Sequence, residues 1–171
     1  MSDVLEFIQK RRSIRAYKKD APVSEAQVET LLRAAMAAPS AGGEQAWAFV
    51  VIRERKTLDQ VTEIHPYASM LEAAPLAILV CGDLEREKHK HMWVQDCAAA
   101  TQNLLLAAAN IGLGTCWCGV HPQPEREEGL RRLCDLPKHI VPFAIVAVGV
   151  PDEQKGPADY YDPERVHDER W

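Results

Sequence analysis

The sequence contains no uninterrupted apolar run of membrane-spanning length. Its longest apolar stretch, 98–111, is broken by Thr101, Gln102, Asn103 and Asn110, and a span needs about 20 predominantly apolar residues. Positive charge is not in excess: Lys and Arg number 20 against 25 Asp and Glu, a net charge of −5. That balance argues against nonspecific nucleic-acid binding, which neutralises phosphates with surplus cations. The opening residues, MSDVLEFIQKRR, lack the basic region, apolar run and small-residue cleavage site of a secretory signal. The five cysteines are an odd number, and none has zinc-site spacing. Cys116 and Cys118 form C-x-C in apolar, tryptophan-containing surroundings. Reduced, mostly buried thiols and a cytoplasmic location are expected. The sequence also lacks a phosphate-loop lysine motif, a G-x-S-x-G elbow and H-E-x-x-H. The six histidines are scattered, and no metal site is expected.

What is present describes a soluble globular chain, 47% apolar and 26% charged. Its 171 residues are enough to bury a core as one domain. Residues 3–12 read as a short helix with Val4, Leu5 and Ile8 on one face. Ser24 with Gln27 three residues later forms a capping box. The helix that follows turns Val28, Leu31, Leu32 and Ala35 inward and stops before Pro39. Strands are expected at 47–52, 76–81, 115–118 and 142–150. Helical pieces fall at 57–73, broken near Pro66, and at 125–134. The charged stretch LEREKHKH reads as a connector with Asp83, Glu85 and Glu87 on a solvated face. The longest helix, 92–111, is apolar nearly all round, as a central buried helix would be. A narrow polar stripe remains on it: Gln95 with Gln102, and Asp96 with Asn103 and Asn110. Gly112 is its stop.

The last 21 residues, 151–171, differ in character. They carry Pro151, Pro157 and Pro163, several charges, and Tyr160, Tyr161 and Trp171. Such a segment cannot make its own core, and its aromatics favour lying across another surface. Extended, it reaches on the order of 70 Å, against a radius of gyration of about 16 Å for a domain of this size. It can cross onto a partner subunit.

Three constellations could bear chemistry. Arg11-Arg12-Ser13-Ile14-Arg15 gathers three guanidiniums and a hydroxyl, a possible phosphate clamp. Equally, it could be a basic last turn complementing a helix dipole. The run Ala38–Gln45, with Pro39 and paired glycines, could let backbone approach a flat ligand. It could also be a plain helix-to-strand connection. Gly112-Leu113-Gly114 opens like a dinucleotide fingerprint, but follows a helix and precedes a strand, so that reading fails.

Five segments, in order, resemble the nitroreductase family: RRSIR, APSAGGEQAW, VQDCAAATQNLLLAAANIGLGTCWCGVHP, VPFAIVAVGVP and RVHDERW. Each is modest alone, but their joint order and spacing span nearly the whole chain. The short length resembles the compact branch of that family. The resemblance implies an α+β fold with a mainly antiparallel central sheet flanked by helices. It implies an interlocked homodimer, with residues 1–150 as the cofactor-binding core and 151–171 as a swapped arm wrapping the partner subunit. It implies FMN as cofactor and NAD(P)H as co-substrate, with electrons passed to a small-molecule acceptor such as a nitroaromatic or quinone by ping-pong kinetics. The flavin carries the chemistry and no side chain need be catalytic.

Carried over, the resemblance assigns Arg11, Arg12, Ser13 and Arg15 to the FMN phosphate and ribityl chain. It assigns Pro39, Ser40, Ala41, Gly43 and Gln45, from the other subunit, to the flavin. Trp117, Cys118 and Gly119 would pack against the ring. Three positions depart from the family pattern. Gly43 stands where Asn is usual, Ala46 replaces Pro, and Tyr160 replaces a phosphate-binding Arg or Lys, with Arg165 nearby as a substitute. The alternative reading is an FMN-binding storage or sensing protein with little turnover.

Overall fold

A computed structural model describes residues 3–171. In chain order the elements are α1 (Asp3–Lys10), α2 (Glu25–Met36), β1 (Trp47–Ile52), α3 (Arg55–Ile64), β2 (Leu76–Asp83), α4 (Trp93–Asn110), β3 (Gly114–Gly119), α5 (Pro124–Leu133) and β4 (Ile140–Gly149). Short 3-10 turns lie at Ala41–Gly43, Ser69–Glu72 and Pro163–Arg165. The four strands form one antiparallel sheet in the order β1-β2-β4-β3. The fold is α+β, as expected.

The sheet separates two apolar layers, and the two-residue alternation of its strands assigns each side chain. Ile78, Val80, Ala144, Val146 and Val148 face α2 and α4, where they meet Val28, Leu31, Leu104 and Ala108. Ala77, Leu79, Ile145 and Ala147 face the other way, toward Leu58 and Val61 of α3 and Leu130 of α5. β2 is buried on both faces, which is why it reads as an unbroken apolar run. The β2–β4 register shifts between Val80 and Cys81, leaving Phe143 as the extra residue beside Pro142. Proline brings no N–H to the ladder, so a bulge is the natural place for it.

The helix ends follow local chemistry. Ser24 accepts the Gln27 N–H at 3.2 Å while the Gln27 side chain accepts the Ser24 N–H at 2.9 Å, closing the capping box. At the end of α4, Gly112 takes φ +75°. Its N–H reaches the Ala109 carbonyl, and the Leu113 N–H reaches that of Ala108, a Schellman closure.

Two expectations need correction. α1 stops at Lys10, so Arg11–Arg15 does not belong to a helix. Residues beyond it run extended beside β3, with bridges Ser13 to Thr115 and Tyr17 to Pro151, because the outer edge of β3 would otherwise be left unpaired. Glu87 is buried, not solvated. Its carboxylate accepts the Trp93 N–H at the start of α4, one of the helix donors that need an external partner. The polar stripe of α4 also has work inside the protein: Asp96 accepts the Ala41 N–H and Asn103 donates to the Ala34 carbonyl.

The extended segment docks through two dents. Gly114 of β3 and Gly149 of β4 are register partners. A Cβ on Gly114 would lie 2.8 Å from Ile14, and one on Gly149 would lie 2.8 Å from Tyr17 and from Pro75. Gly114→Ala therefore pushes Ile14 out of its seat. The expected cost is about 1–3 kcal/mol, typical of overpacking, read as a lower midpoint in urea denaturation. An unchanged midpoint would show that this segment contributes little to stability.

Candidate functional site

β3 is an edge strand, and only its first half is paired on the outside. The Ile14 N–H donates to the Thr115 carbonyl at 2.8 Å. Thr115 therefore turns its backbone groups outward, and by alternation so do Trp117 and Gly119. Beyond Thr115 this open edge forms the wall of a cleft of about 680 Å³, within the usual range for small-molecule sites. Arg15, His65, Tyr67, Cys116, His121 and Arg126 are among its other walls. No Asp or Glu lines it. A Cβ on Gly119 would meet nothing within 4 Å, so the approach to the strand is clear there.

Alternation also sorts β3's side chains. Cys116 and Cys118 share one face, in the cluster with Met70 and Leu79, while Trp117 packs on the α4 side against Phe143. The Cys118 thiol donates to the Tyr67 carbonyl at 3.4 Å. The closeness of the two thiols, helped by Arg15 and Lys155, lowers the Cys116 thiol to about 7, and the same closeness with burial drives the Cys118 thiol up. All five cysteines are free.

The Gly119 carbonyl is held twice, by His65 Nε2 at 2.8 Å and by Arg126 at 3.1 Å. His65 Nδ1 in turn accepts the Tyr67 N–H at 3.2 Å. One nitrogen must donate and the other accept, so the ring is neutral with its proton on Nε2. Burial, with Arg126 nearby, lowers the His65 pKa below its ordinary value, partly offset by the Gly119 bond.

The residues singled out in the sequence do not all meet. Arg15, Trp117, Cys118 and Gly119 line the cleft just described. Arg11 and Arg12 line a neighbouring cavity of about 660 Å³ with Lys10, Lys18 and Lys155. Ser13 lies at the bridge to Thr115. Pro39, Ser40, Ala41, Gly43 and Gln45 form a separate loop that contributes to neither cavity. That loop is held in an unusual shape. Gly42, Gly43 and Gln45 all have positive φ, the Ser40 hydroxyl accepts the Gln45 N–H at 2.9 Å, and the Asp96 carboxylate accepts the Ala41 N–H at 2.9 Å. The other Asp96 oxygen is buried without a partner.

Several residues of this region were not singled out in the sequence. Residues 151–158 fold back along 9–17 of their own chain. The Ala158 N–H reaches the Gln9 carbonyl, Asp152 N–H reaches Ala16, Arg12 donates to Gly156, Lys155 donates to Ser13, and Glu153 accepts the Arg15 and Ala16 N–H groups. Lys155 thus joins the basic segment, while Arg165 pairs with Asp162. Only chain folding brings Lys155 there. His65, Tyr67 and Arg126 likewise carry no local pattern. Further along, Tyr160, Tyr161, Val166 and Trp171 are exposed.

Known proteins resemble this chain over nearly its whole length. The nitroreductase family model matches residues 8–67 and 60–150. A Methanothermobacter thermautotrophicus protein, provisionally named NADH dehydrogenase/NAD(P)H nitroreductase, is 48% identical over 99% of this chain and 88% of its own length. A Parabacteroides distasonis crystal structure with the same provisional name superposes with a TM-score of 0.95, at 41% identity over the full length of both chains. A Desulfovibrio desulfuricans structure, described as a nitroreductase in complex with FMN, gives a TM-score of 0.85 at 30% identity, covering 100% of this chain and 99% of that one. The chain belongs to the nitroreductase family.

The His65 tautomer has a pH consequence. The unfolded chain takes up a proton near the ordinary value of 6.5, while the folded ring resists it. As pH falls below about 6.5, the unfolded state binds more protons and stability declines, until the lower folded value is passed. Above that window the site makes no pH-dependent contribution. His65→Gln is expected to lose less thermal stability than the parent between pH 7 and 5. Parallel melting curves against pH would show His65 to be irrelevant.

Proposed function

We propose that this protein is an FMN-dependent NAD(P)H oxidoreductase that works as a cytoplasmic homodimer and reduces a small acceptor such as a nitroaromatic or quinone. The observation that carries the proposal is the outer edge of β3 from Trp117 to the Gly119 N–H, which no strand pairs, in a cleft that contains Arg15 and no carboxylate. The chain's own residues fit FMN. An unpaired strand edge offers backbone donors and acceptors to a flat heterocycle, and Gly119 and Gly43 leave open space where a Cβ would stand. When bound, FMN supplies hydride acceptance from NAD(P)H and onward electron transfer. Arg11, Arg12, Ser13 and Arg15 would hold the phosphate and ribityl chain, with Lys155 close by. Trp117, Cys118 and Gly119 would orient the ring, and His65 keeps that strand end in place. Both substrates would use one cleft in turn, which gives ping-pong kinetics.

The separation of the Pro39–Gln45 loop from the cleft supports a site completed by a second copy. Pro39, Ser40, Ala41, Gly43 and Gln45 of one copy would close over the cleft of the other. Exposed Val4 and Ile8 on α1, with Tyr160, Tyr161 and Trp171, supply apolar surface for such an interface. In this reading residues 1–150 are the FMN-binding core, and 151–171 are an arm whose outer part reaches the partner.

The test is direct. Purified protein is expected to be yellow and to release FMN on denaturation, and anaerobic NADH or NADPH is expected to bleach it rapidly. A colourless protein that takes up no FMN would overturn the reading, and slow bleaching would favour storage or sensing over turnover.

The two parts of the arm can be separated. Truncation after Ala158 keeps the contacts to residues 9–17 and removes the exposed aromatics. The shortened protein is expected to stay folded yet to lose both dimer and flavin, since the two would share one interface. Light scattering and visible absorbance measure these together. A monomer with stoichiometric FMN would contradict the interface site.

A further inference from the structure

The clefted end of β3 carries a second cationic feature, which shares its cleft with Arg15. Arg126, near the start of α5, donates to the Gly119 carbonyl, and its guanidinium carbon lies 5.5 Å from the centre of the Tyr67 ring. Tyr67 is 71% exposed. Glu127, next in sequence to Arg126, is engaged by His121 at 2.8 Å, and among the described residues no ion pair forms to Arg126 itself. A guanidinium has donors to spare after one carbonyl bond.

Position separates this charge from the basic segment. Ser13 bridges Thr115, whereas Arg126 holds Gly119, four residues along the strand. At about 3.3 Å per residue the two points are about 13 Å apart. A phosphate held by Arg11, Arg12 and Ser13 would therefore lie away from Arg126, while Arg15 reaches into the cleft that Arg126 lines. The cleft offers only Arg15, Arg126 and two histidines as ionisable basic groups and no acid to oppose them, on a protein whose net charge is −5. A concave site of one sign focuses the field on a ligand of the other.

We propose that Arg126 and Tyr67 form a subsite that selects aromatic electron acceptors carrying a carboxylate, the guanidinium pairing with the carboxylate and the exposed ring packing against the acceptor's ring. The inference rests on the oxidoreductase reading above. Planar guanidinium matches carboxylate in a two-point geometry that ammonium cannot reproduce, and an aromatic face that already holds a cation gives the acceptor an apolar wall beside the charge.

The test compares a matched pair of acceptors, para-nitrobenzoate and para-nitrobenzamide, which differ in charge and little in shape. The parent protein is expected to favour the carboxylate in kcat/KM. Arg126→Gln is expected to lower the ratio of carboxylate to amide about tenfold, the scale of one charge-assisted bond. Arg126→Lys should keep part of the preference. Loss of the Gly119 bond, or an effect on bound flavin, would slow both acceptors alike and leave the ratio unchanged; an unchanged ratio overturns the proposal. Calorimetric titration with benzoate and benzamide supplies a readout independent of turnover. Benzoate binding that weakens about tenfold in Arg126→Gln supports the subsite, and equal binding by parent and variant overturns it. If the protein proves colourless or inert, the functional reading falls while the titration still decides the subsite.

Discussion

An edge strand with half its outer side paired is the constraint on which this structure depends. β3 must satisfy or expose the backbone groups along its free edge. The chain covers the first half with its own residues 13–17 and leaves the second half open. The covering segment needs close approach, which Gly114 and Gly149 permit, and it needs backing, which residues 151–158 provide from outside. The result is a three-deep stack of β3, basic segment and returning arm. One end of the stack presents cations and the other presents bare strand edge. A cleft of this kind follows from stopping a β-ladder partway.

Much of the fold was legible because its signals are local. The capping box at Ser24 and Gln27, the stop at Gly112 and the unbroken apolar run of β2 each depend on residues within a few positions. The same holds for the interrupted helical stretch around Pro66, which became α3 and a 3-10 turn. The end of α1 was less legible: Arg11 and Arg12 are good helix formers, and only the bridge from Ser13 to Thr115 just beyond them takes the chain out of the helix. Glu87 was misread because a carboxylate among Lys and His looks solvated until the N-terminus of α4 is placed over it.

The candidate site was legible in pieces and not as an arrangement. The basic segment and the Trp117–Gly119 strand end carry recognisable patterns, and the structure places Arg15 in one cleft with Trp117, Cys118 and Gly119. Arg11 and Arg12 face a neighbouring cavity, on the side where residues 151–155 return along the chain. His65, Tyr67 and Arg126 arrive from α3's end, the following loop and α5. His65 and Arg126 converge on one carbonyl oxygen while Tyr67 braces both, and no sequence spacing encodes that meeting.

The charged connector between β2 and α4 looks like surface, yet it supports the Pro39–Gln45 loop. The Arg86 side chain donates to the Gln45 carbonyl, the Lys88 and His89 N–H groups donate to the Glu44 carboxylate, and Glu87 is spent on α4. Gln45 sits at φ +52°, a backbone shape that persists only when its surroundings hold it. Mutational tolerance at Arg86 and Glu87 should therefore follow core rules in a stretch with surface composition. A charge swap at Arg86, introduced to improve solubility, would unlatch the loop while leaving the hydrophobic core untouched.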